Sequence, residues 1–261
     1  MQPLYDLIGN TYAASRRADP AIVQELCRKI SLEPSGAYLD LGCGTGNYTV
    51  ALSSLGGAWS AIDSSKVMLA QAAQKSPSVE WIQSSAERLP FADGTFDSAI
   101  CTLAIHHLPE LESPFAEVRR TLRSGRFVIF TGLVEQMRHY WLCHYFPEMM
   151  ARAIQKILSE TAIREALVRS GFTSAYTTPF HVTNELQDLF LFSGKHRPRQ
   201  YLDPAVRASI SSFANLAPAA ELHDGLVQLA AAVQSGAFAS VQARYASKAG
   251  DYAFVTARVE S

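Results

Sequence analysis

The chain has 261 residues, 48% hydrophobic and 18% charged, enough to bury a substantial core as one large α/β domain or two small ones. A formal net charge of −1 gives no general attraction to a phosphate backbone, which disfavours nucleic acid as a partner. Four scattered cysteines without metal or disulfide spacing, no leader-like start and no apolar run of membrane-spanning length predict a cytoplasmic protein with reduced thiols, no metal and no membrane insertion.

At the amino end, Tyr5, Tyr12 and Arg16 lie seven and four residues apart, so a helix there would set them on one face. Residues 38–48 then read YLDLGCGTGNY, an apolar run that stops at glycine and restarts as a helical pattern over 47–55. This predicts a strand, a tight loop and a helix start. Gly42, Gly44 and Gly46 would let a ligand lie close to the main chain, where free helix N–H groups meet its polar atoms. The spacing is GxGxG rather than GxGxxG, and Asp40 precedes it. A carboxylate there repels a pyrophosphate and suits a ligand carrying an ammonium group.

DLGCGTGN resembles the first motif of the class I S-adenosylmethionine-dependent methyltransferases. The resemblance implies a Rossmann-like, doubly wound α/β sheet of seven strands with an antiparallel last strand. Farther along, a short apolar strand over 59–62 ends in Asp63, and residues 65–74 form an amphipathic pattern. Asp63 falls about 20 residues past the glycines, where an acid at a strand's carboxyl end accepts both hydroxyls of a ribose. Ser64 or Ser65 can cap the next helix, which would leave Asp63 to the ligand.

After a strand over 79–83, the segment AERLPFADGTFD resembles the pattern that follows the third strand in a branch of the family. That branch includes ubiquinone, menaquinone and small-molecule methyltransferases. By this resemblance Ser85, Ala86 and Glu87 form the loop that reads the adenine edge, and Cys43, Asn47, Ser64 and Met68 complete the cofactor site. A fourth strand over 98–103 brings Leu103 beneath the methionine portion. His106 and His107 would stand near the transferable methyl as catalytic candidates, one facing the pocket and the other packing. A helix over 112–122, a Ser-Gly turn and the run Phe127 to Phe130 complete five βα-like units.

The second half is less regular. His139, Trp141, His144 and Tyr145 follow the fifth strand and form either an acceptor wall for an aromatic or planar molecule or a buried aromatic cluster. The chain divides into an N-terminal cap (1–36), a core (37–183), a helical lid insertion (184–240) and a final strand (241–261), within one domain. In the cap, the resemblance implies that Tyr12 and Arg16 fold over the cofactor, the ring beside its sulfonium and the guanidinium on its carboxylate. A surface helix anchored by two tyrosines is the competing reading. The expected activity is methyl transfer from S-adenosylmethionine to a small-molecule acceptor by a monomer or homodimer. A cofactor-binding protein without transfer and a nicotinamide-dependent oxidoreductase are the alternatives.

Overall fold

The computed structural model describes residues 16–259. Tyr5 and Tyr12 lie outside the described residues, and Arg16 is the first within them.

Helix α1 (Pro20–Ile30) begins at Asp19, whose carboxylate accepts from the Ala21 and Ile22 amides at 3.0 and 3.2 Å. That satisfies two orphan donors of the first turn, and Pro20 fits there because its missing N–H would have no helical partner. The chain continues through β1 (Ala37–Leu41), α2 (Asn47–Ser53), β2 (Ala58–Asp63), α3 (Lys66–Lys75) and β3 (Glu80–Gln83). Next come β4 (Phe96–Thr102), a 3₁₀ turn (Ile105–His107), α4 (Glu112–Thr121) and β5 (Leu122–Thr131).

The Ser-Gly turn expected before Phe127 is instead part of β5, which runs unbroken through Ser124 and Gly125. Phe96 pairs with Leu122 and Ser98 with Arg126, so the additional residues of β5 form a bulge against β4. Gly125 has φ +126°, and a Cβ there would sit 2.1 Å from the Asp97 carbonyl oxygen. Gly125→Ala is therefore expected to cost about 2 kcal/mol or more. A lower urea midpoint at unchanged slope is the expected readout, and an unshifted midpoint would contradict the steric account.

Beyond β5 lie α5 (Val134–Met137), α6 (Leu142–Tyr145), α7 (Pro147–Ile154), α8 (Glu160–Arg169) and β6 (Ser174–Phe180). Residues 184–197, expected as the start of a helical lid, form turns instead. Helix resumes with a 3₁₀ turn (Pro198–Leu202), α9 (Pro204–Ala208), α10 (Ser211–Asn215), α11 (Ala219–Ser235) and α12 (Phe238–Arg244), before β7 (Tyr252–Val259).

The strands form one sheet in the order β3-β2-β1-β4-β5-β7-β6, with β7 antiparallel to both its neighbours and the other pairs parallel. This is the doubly wound sheet with an antiparallel last strand that the sequence predicts. Its order reverses between β1 and β4, the switch point at which such sheets bind ligands beyond the carboxyl ends of the strands. Pro179 is tolerated in β6 because that strand is an edge.

Strands buried on both faces read as nearly unbroken apolar runs, and alternate residues serve opposite cores. Leu39, Leu41, Phe127 and Ile129 pack on one face, whereas Tyr38, Ile100, Val128 and Phe130 pack on the other. The second face is also covered by Phe190, Phe192, Tyr201, Phe213 and Phe238 from the segment between β6 and β7. That segment thus shares the core of the sheet. The turn residues are tied down as well, since Asp19 accepts from the Gln187 amide at 2.8 Å and Arg197 donates to the Leu186 carbonyl at 2.6 Å.

Candidate active site

Two cavities, of about 280 and 150 Å³, open beside the switch point and share Arg16, Leu103 and His107 as a common wall. The larger draws its lining from the ends of successive strands. Gly42, Cys43, Gly44 and Asn47 follow β1, Asp63 and Ser64 follow or end β2, and Ser85, Ala86 and Glu87 follow β3. Met68 enters from α3, and Leu103 and Ala104 lie just beyond β4.

Gly44 has φ +54°, and no atom lies within 4 Å of the Cβ it lacks. At Gly46, by contrast, a Cβ would strike the Trp81 ring at 2.4 Å. The first glycine therefore keeps space open, and the second allows the loop to pack on β3. Asp63 Oδ2 accepts from the Gly44 amide and Oδ1 from the Ser65 amide, each at 2.8 Å. Ser65 caps α3 by accepting from the Met68 amide at 3.3 Å. Capping by serine does not leave Asp63 uncommitted, as the sequence suggests, because the carboxylate also fixes the glycine loop while facing the cavity.

Asp40 belongs to the opposite sheet face from Leu39 and Leu41 and does not line the cavity. It is buried, Oδ2 accepts from the Thr49 hydroxyl at 2.6 Å, and Oδ1 has no hydrogen-bond partner. Burial, reinforced by repulsion from Asp63, pushes its carboxyl up to about 7. Ser85 donates to the Glu87 carboxylate and accepts from the Glu87 amide at 3.3 Å, which folds the β3 loop on itself.

Arg16 does reach the cavities, but its guanidinium is held by Asp188, through Nε and through Nη2 at 3.0 Å. The Tyr48 hydroxyl donates to the same carboxylate at 2.9 Å. Asn47 donates to the Arg16 carbonyl at 3.0 Å and accepts from Lys75 at 2.7 Å. Sequence reasoning missed Asp188 and Tyr48. No local pattern joins Asp188 to a partner 172 residues away.

The histidine rings lie against each other at a tilt of 47°, with centroids 4.0 Å apart. His106 lines only the smaller cavity, whereas His107 lines both. Desolvation first, then the charges of His107, Arg16 and Lys156, push His106 down to about 3, and its Nδ1 is buried without a partner. Desolvation and Lys156 push His107 down to about 4. His106 is the more enclosed of the two, since His107 stays open to the cleft.

Both rings are thus neutral near pH 7 and weak proton acceptors. For stability the sign is definite. An unfolded His106 takes up its proton near 6.5 and the folded one near 3, so its contribution is complete above pH 6.5 and is lost as the pH falls toward 3. Asp40 works oppositely between 3.8 and 7, gaining stability as pH falls, so wild type alone does not isolate the histidine. The difference in unfolding free energy between wild type and His106→Leu is expected to shrink by about 2–3 kcal/mol between pH 6.5 and 4.5 in urea titrations. A difference independent of pH would contradict the depressed pKa.

None of His139, Trp141, His144 and Tyr145 lines either cavity. Trp141 and Tyr145 are buried, and Trp141 packs edge-on against Tyr145, Tyr201 and Phe238 while its Nε1 donates to the Lys195 carbonyl at 3.0 Å. His139 and His144 are exposed. The cluster is a core that joins α6 to the segment before β7, not an acceptor wall. The smaller cavity is instead lined by Gly132, Met137, Phe190, Asn215 and Tyr252, with Lys156 contributing a cation.

A glycine loop, an acid at the end of β2 and a cleft at the switch point define a doubly wound α/β protein built for a nucleoside-containing cofactor. Residues 39–130 match the family model described as a methyltransferase domain. The chain is 32% identical to a putative methyltransferase from an antibiotic biosynthesis pathway of Anabaena variabilis, whose crystal structure superposes with a TM-score of 0.84 over 94% of this chain and 99% of that one. It is also similar to the demethylmenaquinone methyltransferase of Bacillus licheniformis, 37% identical over 37% of this chain and 44% of the relative. The malonyl-[acyl-carrier protein] O-methyltransferase of Erwinia pyrifoliae is 36% identical over 44% of this chain and 46% of the relative. The chain thus spans a little under half the length of these two curated relatives. It belongs to the class I S-adenosylmethionine-dependent methyltransferases, and that family names S-adenosylmethionine as its cofactor. Among the described residues, no helix is long and apolar enough to cross a membrane.

Proposed function

We propose that this chain transfers a methyl group from S-adenosylmethionine in the larger cavity to a small-molecule acceptor in the smaller one. The observation that carries the reading is the shared wall of Leu103, His107 and Arg16, at which the two cavities meet. Leu103 holds φ +54°, costly for a side chain of its size, while its amide donates to the Phe130 carbonyl at 2.7 Å. Such strain is found where a site demands it.

The residues fit the cofactor. Open space over Gly44 suits close approach by a methionine chain, and Asp63 faces the same space as an acceptor for ribose hydroxyls. Ser85 and the Ala86 amide suit an adenine edge, Met68 an adenine face, and Cys43, Asn47, Ser64 and Glu87 complete the walls. Asp40 stays outside this lining, buried against Thr49. Arg16, held by Asp188, lines both cavities, and Tyr48 donates to the same carboxylate.

The bound cofactor supplies a carbon already activated by its sulfonium, so the protein's part is alignment and exclusion of water. With pKa values of about 3 and 4, His106 and His107 shape and orient the acceptor rather than take its proton. The names of the curated relatives, which specify demethylmenaquinone and a malonyl group, guide the choice of acceptors to try. Incubation with methyl-labelled S-adenosylmethionine and phenols, quinols, carboxylates and amines is expected to label at least one acceptor. Tight cofactor binding with no labelled product would favour a binding protein without transfer.

A further inference from the structure

We infer that the acceptor is a molecule with a ring-sized apolar body and an anionic oxygen, and that Lys156 recognises that oxygen. This deepens the methyltransferase reading and rests on it.

A cavity of about 150 Å³ is the size that holds a benzene-like group. Its walls include Met137, Ile157, Phe190 and Tyr252, which suit an apolar body. The charge in the lining is one-sided. None of the described residues that line this cavity is an Asp or Glu, while Lys156 and Arg16 bring positive charge. Arg16 is bound to the buried carboxylate of Asp188, whereas Lys156 has no ion pair among the described residues. Its ammonium is near enough to both histidines to bear on their protonation. Asn215 and Ser212 also line the cavity and offer further donors to an oxygen.

The chemistry of the site agrees with this charge. Neither histidine is a competent base near neutral pH, and no carboxylate lines the smaller cavity to replace one. An acceptor that arrives as an anion has no need of a base. Its oxygen forms a bond to the methyl carbon as the carbon–sulfur bond breaks, and the electron pair leaves with sulfur. Oxyanion and sulfonium become a neutral ester or ether and a neutral thioether, and no proton is left over. Lys156 compensates the acceptor's charge on entry and loses its partner as the product forms, which favours release.

The test is calorimetric binding at pH 8 to the whole protein saturated with S-adenosylhomocysteine, using benzoate, 4-nitrophenolate and neutral benzamide as probes. At least one anion is expected to bind tenfold or more tightly than benzamide, and which one binds better separates a carboxylate acceptor from a phenolate. Lys156→Met is expected to abolish the preference and Lys156→Arg to restore most of it, with S-adenosylhomocysteine affinity unchanged in both. Equal binding of benzamide, a preference that survives Lys156→Met, or no binding of either anion would overturn the inference while leaving the cofactor site standing. Failure of the wild-type protein to bind S-adenosylhomocysteine would instead overturn the methyltransferase reading itself.

Discussion

Gly44→Ala is expected to weaken S-adenosylmethionine binding about 100-fold, or about 2.7 kcal/mol, while the protein stays folded. The new methyl group would meet no protein atom within 4 Å, so it would occupy space left to the ligand. The φ of +54° adds strain of about 1 kcal/mol, a modest fraction of a domain's stability. Gly46→Ala provides the internal contrast. Its methyl would meet the Trp81 ring at 2.4 Å, so the loss should appear chiefly as a lower melting temperature. Calorimetric titration and thermal melts on both variants separate a cradle from a packing contact. Normal affinity in Gly44→Ala would mean that the loop's open side is not where the cofactor lies.

The second large effect is expected at Asp63. Its carboxylate has two tasks here, fixing the Gly44 and Ser65 amides and facing the cavity as an acceptor. Removing an acceptor from buried hydroxyls costs about 1–3 kcal/mol, and the untethered loop adds to that. Asp63→Ala should therefore lower affinity by about 100-fold, with Asp63→Asn intermediate because its amide oxygen still accepts. A 2′-deoxy analogue of the cofactor makes the assignment specific. It should bind wild type poorly yet lose little more in Asp63→Ala, the coupling expected of groups in contact. Additive losses would remove Asp63 from the ribose site.

Features that local chemistry decides were legible in the sequence. The GxGxG turn after an apolar run marks a strand, loop and helix, and the alternation of such units predicts a parallel sheet, because neither pattern depends on distant partners. The antiparallel last strand and the cofactor-side loops followed from the resemblance. Features that tertiary pairing decides were not legible. Ser124 and Gly125 have the composition of a turn, yet pairing with β4 and β7 draws them into β5 as a bulge. Trp141 and Tyr145 have the composition of a pocket wall or of a buried cluster, and only the aromatic rings from the segment before β7 decide for the cluster. Asp40 carries the right charge, but the two-residue period of β1 turns it away from the cavity and toward Thr49. Lys156 sits in the turn after α7 and gains meaning only when the fold brings it to the same cavity as the histidine pair.

The most direct test of the central claim is a crystal structure of the protein with S-adenosylhomocysteine. The amino-acid end is expected over residues 42–46, the ribose on Asp63, the adenine edge at Ser85 and Ala86, and the sulfur directed past Leu103 and His107 toward the smaller cavity. A ligand bound elsewhere, or one whose sulfur points away from that shared wall, would contradict transfer between the two cavities.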